Sequence, residues 1–263
     1  MASQIGGLRL RLTRPTCSAA ARYCTTSHQT IQSSAHGSAA TITLLSCAAQ
    51  TETTMRMTTA IIERARRTAN GFKDLELAAS ELIASGDAAG AKEIALELLR
   101  SEVHQARCVA TFVLGRLAAC DGDALAVLKQ RVSLDDDWRV QEILAKAFDR
   151  FCADTGYEAA LPTIREWLSA ASANTRRAVT EGLRIWTARP YFRAHPEAAV
   201  ALLSPLRNDD SEYLRKSVGN ALRDISKKHP DLIRSEVATW NLDHQGVRQV
   251  HKLAARLLTS SAA

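Results

Sequence analysis

The chain has 263 residues, 46% of them hydrophobic but only 5% aromatic, with 34 Lys and Arg against 28 Asp and Glu and a formal charge of +6. That length and apolar fraction suffice for one large domain or two small ones and exclude a wholly disordered chain. No run approaches the roughly 18 apolar residues that a membrane-crossing helix needs.

Residues 1–56 differ in kind from the rest. They are rich in Ser, Thr and Ala, and carry five Arg against one acid, Glu52. They hold Cys17, Cys24 and Cys47 and show no sustained apolar period. Such a composition fits a disordered tail, an organellar transit segment or an early-assigned start, with Met55 and Met57 as alternative starts. The expected folded domain is therefore 57–263.

From residue 57 onward the pattern is helical. A first pair of helices, 58–70 and 73–84, is expected to cap the N-terminal end. Five two-helix units follow. Their first helices read as Ala89–Leu99, Ala124–Val132, Tyr157–Trp167, Glu197–Leu206 and Asp231–Trp240. Their second helices share a pattern whose equivalent polar positions are Arg107, Gln141, Arg176, Arg215 and Arg248, spaced by 34, 35, 39 and 33 residues. This is the period of two-helix solenoids, and five copies exceed the roughly three that a stable stack needs. Pro196 and Pro230 each open a helix with an acid behind them. No strand alternation or hairpin signal is present. Second helices of such repeats usually line the concave face of a curved solenoid.

Cys108, Cys120 and Cys152 lie in apolar helical patterns, form no CxxC pair and read as reduced thiols. His244 and His251 are two helical turns apart, too far for a shared metal. No metal and no cofactor is expected.

In the helix opening at Trp138, the residues Val140, Ile143, Leu144, Ala147, Phe148 and Phe151 form the core stripe. Trp138 and Glu142 are four apart and stack off that stripe, and Asp135-Asp136-Asp137 precedes them as a capping run. The next repeat carries Arg176 and Arg177 at the positions of Gln141 and Glu142, and the one after carries Arg215 and Lys216. Arg184, Arg189, Arg193 and Arg223 add to this side. One carboxylate flanked by cations, repeat after repeat, suits a polyanion such as DNA. The bland readings stand beside this one. Trp138 can be a packing residue at the core edge, Glu142 a surface acid, and the Arg pairs ties between neighbouring repeats. Trp186 continues the stripe of Val179 and Leu183 and reads as core, as do Trp167 and Trp240. Glu181 is either a second carboxylate of this face or a partner of Arg177, and Gly182 marks a close helix approach.

Three blocks carry a resemblance: 137–148, starting Asp137-Trp138-Arg139-Val140; 174–182, starting Asn174-Thr175-Arg176-Arg177; and 217–230, starting Ser217-Val218-Gly219-Asn220. In that order they resemble the DNA alkylation repair glycosylases built from HEAT-like repeats (the AlkD and AlkC group), over about residues 60–260. The resemblance implies an all-α, right-handed α-solenoid of HEAT-like two-helix repeats behind a disordered N-terminal tail. In that family an aromatic is followed four residues later by a catalytic carboxylate, and an Arg one repeat on contacts DNA near the lesion. Trp138, Glu142 and Arg177 fall at the matching places. Two departures are visible. Glu stands where some members have Asp, and the region of a second aromatic holds Lys216 and Asn220. The implied activity is a monofunctional DNA N-glycosylase for N3- or N7-alkylated purines in duplex DNA, with Glu142 catalytic and Trp138 and Arg177 on the lesion. Arg176, Arg184, Arg215, Lys216 and Arg223 would hold the DNA backbone. A monomer is implied, working without cofactor or membrane in a bacterial cytoplasm at the nucleoid, or in an organelle if the first segment is a transit peptide. The alternative is a non-catalytic helical-repeat scaffold that binds protein or DNA.

The charge is unevenly placed: +4 over 1–56, −4 over 57–171 and +6 over 172–263. The proposed carboxylate sits near the boundary between the acidic and basic parts of the folded domain.

Overall fold

The structure, a computed structural model, describes residues 39–258, with side chains from residue 51 onward. It is an all-α solenoid, and among the described residues there is no strand. The opening pair is α1 (Ala39–Arg66) and α2 (Lys73–Ala84). First helices of the repeats are α3 (Ala88–Leu98), α5 (Gly122–Gln130), α7 (Leu161–Leu168), α10 (Pro196–Leu203) and α12 (Pro230–Ala238). Second helices are α4 (His104–Leu117), α6 (Trp138–Thr155), α8 (Ala173–Gly182), α11 (Glu212–Ser226) and α13 (Gln245–Ala254). A short helix, α9 (Pro190–Ala194), lies between α8 and α10. The second helices pack in sequence, α4 on α6, α6 on α8, α8 on α11 and α11 on α13, and so form one continuous layer. The first helices cover its other side.

Expected and observed repeat helices agree to within a few residues at their ends. α1 begins at Ala39, so the described part of the expected tail, 39–56, is helical. The remainder of the expected tail, residues 1–38, lies outside the described residues.

Local signals start these helices. Asp87, Asp121, Asp137, Ser172 and Ser211 each accept a backbone N–H of the first turn of the helix that follows. Pro190, Pro196 and Pro230 occupy first-turn positions where no N–H is needed. The core stripe expected for α6 is buried throughout. Trp167 lies against Phe148 with ring centroids 4.4 Å apart, and Trp186 and Trp240 are also buried. Burial pushes the Cys108 thiol up to about 12 and Cys152 higher still, so both stay protonated at neutral pH.

An arginine ladder ties the repeats together. Arg107 Nη1 donates to the carbonyls of Ser101 and Glu102, while its Nε and Nη2 hold the Asp135 carboxylate one repeat on. Arg176 repeats this with the carbonyls of Ala170 and Ala171 and the carboxylate of Asp209. Arg215 donates to the Asp209 and Asp210 carbonyls and reaches Gln249. Arg248 closes the series on the Leu242 and Asp243 carbonyls. The guanidinium groups of Arg176 and Arg215, expected on the DNA backbone, are thus engaged inside the stack.

The long 39-residue spacing has a local cause. α8 ends at Gly182, and Ile185 adopts the left-handed region at φ 57°, strained for a β-branched residue. That reversal sends Trp186 into the core within a 3-10 turn, where it meets Phe192 of α9 edge-on at 4.8 Å. Trp186 is thus core, as expected, but not as part of α8.

Asp209→Ala removes both the Arg176 partner and a hydrogen bond to Ser211 N–H. It is expected to cost about 2–4 kcal/mol in urea unfolding, because a mostly buried guanidinium loses its counter-charge. Arg165→Ala on the exposed side of α7 is expected to stay within about 0.5 kcal/mol.

Candidate nucleic-acid interface and catalytic centre

α6 presents Trp138, Glu142 and Lys146 along one flank, each four residues from the next. Asp137 caps this helix by accepting Arg139 N–H, which fixes Trp138 in the first turn. Trp138 is 62% exposed, the one tryptophan not in the core, and the Arg139 guanidinium lies 5.0 Å from its ring centroid. Lys146 sits 5.1 Å from the ring of Phe72, which the α1–α2 loop brings to the same flank. Between that loop and Trp138 is a small open cavity of about 180 Å³, lined in part by Asn70, Phe72, His104 and Gln105.

α8 then supplies Arg177, whose Nη2 lies 4.0 Å from Glu142 Oε2. Its Nε is buried without a hydrogen-bond partner. On its other side Arg177 stacks over Tyr213 of α11, 5.2 Å from the ring centroid. Tyr213 is 70% exposed. Three successive second helices thus place a carboxylate, a cation and an aromatic in contact, with Trp138 one turn from the carboxylate.

Tyr213 is the residue that the sequence reading missed. Repeat equivalence with Arg177 and its neighbours leads to Lys216 and Asn220 for a second aromatic. Tyr213 stands one turn earlier, and an exposed aromatic in the first turn of a second helix was the available signal. Lys216 does not join the centre: its Nζ pairs with Glu212 at 2.7 Å. Glu181 pairs with Arg184 at 3.8 Å rather than with Arg177.

The helix spacing that brings Arg177 to Glu142 depends on Gly182. A Cβ at that position would lie 2.3 Å from the Ala145 carbonyl oxygen, a backbone atom of α6. Only a residue without a side chain allows α8 to lie this close to α6.

The remaining cations expected on DNA gather at the far ends of α8 and α11. Arg184 Nε and Arg223 Nη2 lie 3.7 and 3.6 Å from Asp224, and Lys227 Nζ donates to the same carboxylate at 2.7 Å. Burial pushes the Asp224 carboxyl upward, but the Lys227 hydrogen bond and the three positive charges outweigh it, and the group titrates below the ordinary carboxylate range. Among the described residues no group of three His, Cys, Asp or Glu is placed to hold a metal ion.

Residues 44–258 match the family described as DNA alkylation repair enzyme. Among solved structures, the chain is similar to AlkD2 from Streptococcus mutans: 45% identity, TM-score 0.76, covering 78% of this chain and 99% of that one. It is also similar to smu.31 from Streptococcus mutans UA159: 44% identity, TM-score 0.73, covering 77% and 99%. Among curated proteins, it is 35% identical over 96 residues to the uncharacterized protein YhaZ of Bacillus subtilis strain 168. That match spans 35% of this chain and only 27% of YhaZ.

Gly182→Ala is expected to lower stability by about 1–3 kcal/mol, since the new methyl group meets backbone that cannot rotate away. It should also weaken whatever the Glu142–Arg177 pair does, by widening the α6–α8 gap. Urea unfolding of the variant beside the parent checks the first effect.

Proposed function

Because the chain belongs to the DNA alkylation repair enzyme family, we propose that it is a monofunctional DNA N-glycosylase releasing N3- or N7-alkylated purines from duplex DNA. The observation that carries this reading is the contact series Glu142, Arg177 and Tyr213, with Trp138 beside it on one face. The repair activity is performed on DNA, and the proposal adds the bond that is cleaved and the residues that assist.

The chemistry asked of the protein is modest. An N3- or N7-alkylated purine already carries a positive charge, so the base leaves with the electron pair of the C1′–N bond and becomes neutral. No strong general acid is needed. Positive charge instead develops on the sugar, and water must add at C1′ and lose a proton. The Glu142 carboxylate serves both needs. Its charge stabilises the oxocarbenium character, and its oxygens orient the water and accept its proton. Trp138 and Tyr213 offer aromatic faces to the charged nucleotide, a cation–π attraction of about 0.5–2 kcal/mol each. Arg177 lies between Glu142 and Tyr213, and its terminal guanidinium nitrogens suit a phosphate oxygen next to the lesion. All these groups come from one chain, so a monomer suffices. No helix of the described residues is long and apolar enough to cross a membrane, and a DNA substrate places the work at the nucleoid.

A second reading, DNA binding without base release, is favoured by one feature. Lys216 occupies the region where the resemblance leads to an aromatic, and its side chain is engaged with Glu212. One assay separates the two. The protein is incubated with methylated duplex DNA, and released 3-methyladenine and 7-methylguanine are measured. The expected result is release that drops by roughly 100- to 1000-fold in Glu142→Gln, the scale of losing one electrostatic contact to the transition state, with DNA affinity retained. Binding with no release by the folded parent protein would establish the second reading instead.

A further inference from the structure

Glu142, Arg177, Tyr213 and Trp138 account for the reacting nucleotide. They leave unexplained the cluster at the ends of α8 and α11, where Arg184, Arg223 and Lys227 surround Asp224. The Asp224 side chain is 6% exposed, so it is fixed beneath the cations. Arg184 and Lys227 are about half exposed and keep donors turned to solvent. A tie between α8 and α11 needs one cation on that carboxylate, and the cluster has three. Counting Glu181, which pairs with Arg184, there are three cations against two carboxylates. The C-terminal ends of two helices also favour cations here. The surplus charge is therefore positioned and partly desolvated, and among the contacts described it has no third anion.

We propose that this cluster is a phosphate anchor for duplex DNA, with Arg184 and Lys227 contacting phosphodiester oxygens and Asp224 and Arg223 positioning them. The assignment rests on the DNA-binding reading above and extends it to a second contact point. Arg184 follows Arg177 by seven residues and stands past the end of α8 at Gly182. The anchor consequently grips the backbone away from the reacting sugar. It contributes to affinity and orientation, and not to bond cleavage.

The test measures binding of the full chain to duplex DNA across a salt series. Arg184→Ala and Lys227→Ala are each expected to flatten the slope of log affinity against log salt by about 0.9, the value for one lost phosphate contact. Affinity at low salt should fall several-fold. Arg165→Ala, which removes a positive charge from the first-helix layer on α7, is the control and is expected to leave the slope unchanged. Parental slopes in both Arg184→Ala and Lys227→Ala would overturn the anchor while leaving the glycosylase reading intact. An equal change in Arg165→Ala would overturn it as well, by showing only a net-charge effect. Absence of any duplex binding by the parent protein would overturn both readings together.

Discussion

The fold rests on one repeated interaction: a guanidinium near the start of four of the five second helices that binds its own preceding loop and, in three of them, reaches to the next repeat. Helix pairs of this size cannot bury enough apolar surface alone, so a solenoid depends on its interfaces. Arg107 and Arg176 make those interfaces directional. Each spends one nitrogen on two loop carbonyls and the rest on Asp135 or Asp209 of the following loop. Those aspartates complete the chain, because the Asp135 and Asp209 carbonyls accept from Gln141 and Arg215. Charge-assisted hydrogen bonds of this kind contribute about 1.5–3 kcal/mol each and also fix the loop geometry that starts the next helix.

The ladder is interrupted at one rung, and that rung adjoins the candidate centre. Gln141 replaces the arginine, and the next loop, Ala170-Ala171-Ser172, correspondingly lacks the acid. Gln141 still binds its own loop through the Val132 and Asp135 carbonyls, while the crossing to the next repeat passes to Asn174, which donates to the Ser133 carbonyl. A neutral side chain beside Glu142 leaves Arg177 as the cation facing that carboxylate. The close α6–α8 approach at Gly182 then brings the two within 4.0 Å. Structural substitutions and candidate chemistry therefore coincide on a single interface.

Charge placement follows the same division of labour. Much of the basic character of the C-terminal third is consumed internally, in Arg176, Arg189, Arg215 and Arg248. Arg193, Lys228 and Arg234 are exposed elsewhere, while Arg177, Arg184 and Lys227 stay partly or half accessible along α8 and α11 and at their ends. The whole-chain charge of +6 overstates the folded domain, which nets +2 from residue 57, yet these last three positions lie along the layer of second helices that also carries Glu142.

The sequence by itself determined the helical class, the two-helix period, the core stripe of α6, the buried tryptophans and the pairing of Trp138 with Glu142. All of these are consequences of spacing along one helix or between repeats, and the periodicity of apolar residues encodes them directly. It also carried the three blocks through which family membership was legible. Tertiary structure alone decided which arginines are internal ties and which face outward, since residues 176 and 177 are adjacent in sequence and differ only in direction. It placed Tyr213 on Arg177, three helices from Phe72, and showed that Ile185 must turn left-handed for Trp186 to reach the core. Those outcomes depend on distances between separate helices, set by close approaches such as Gly182 on Ala145, and no repeat period specifies how near two helices will lie.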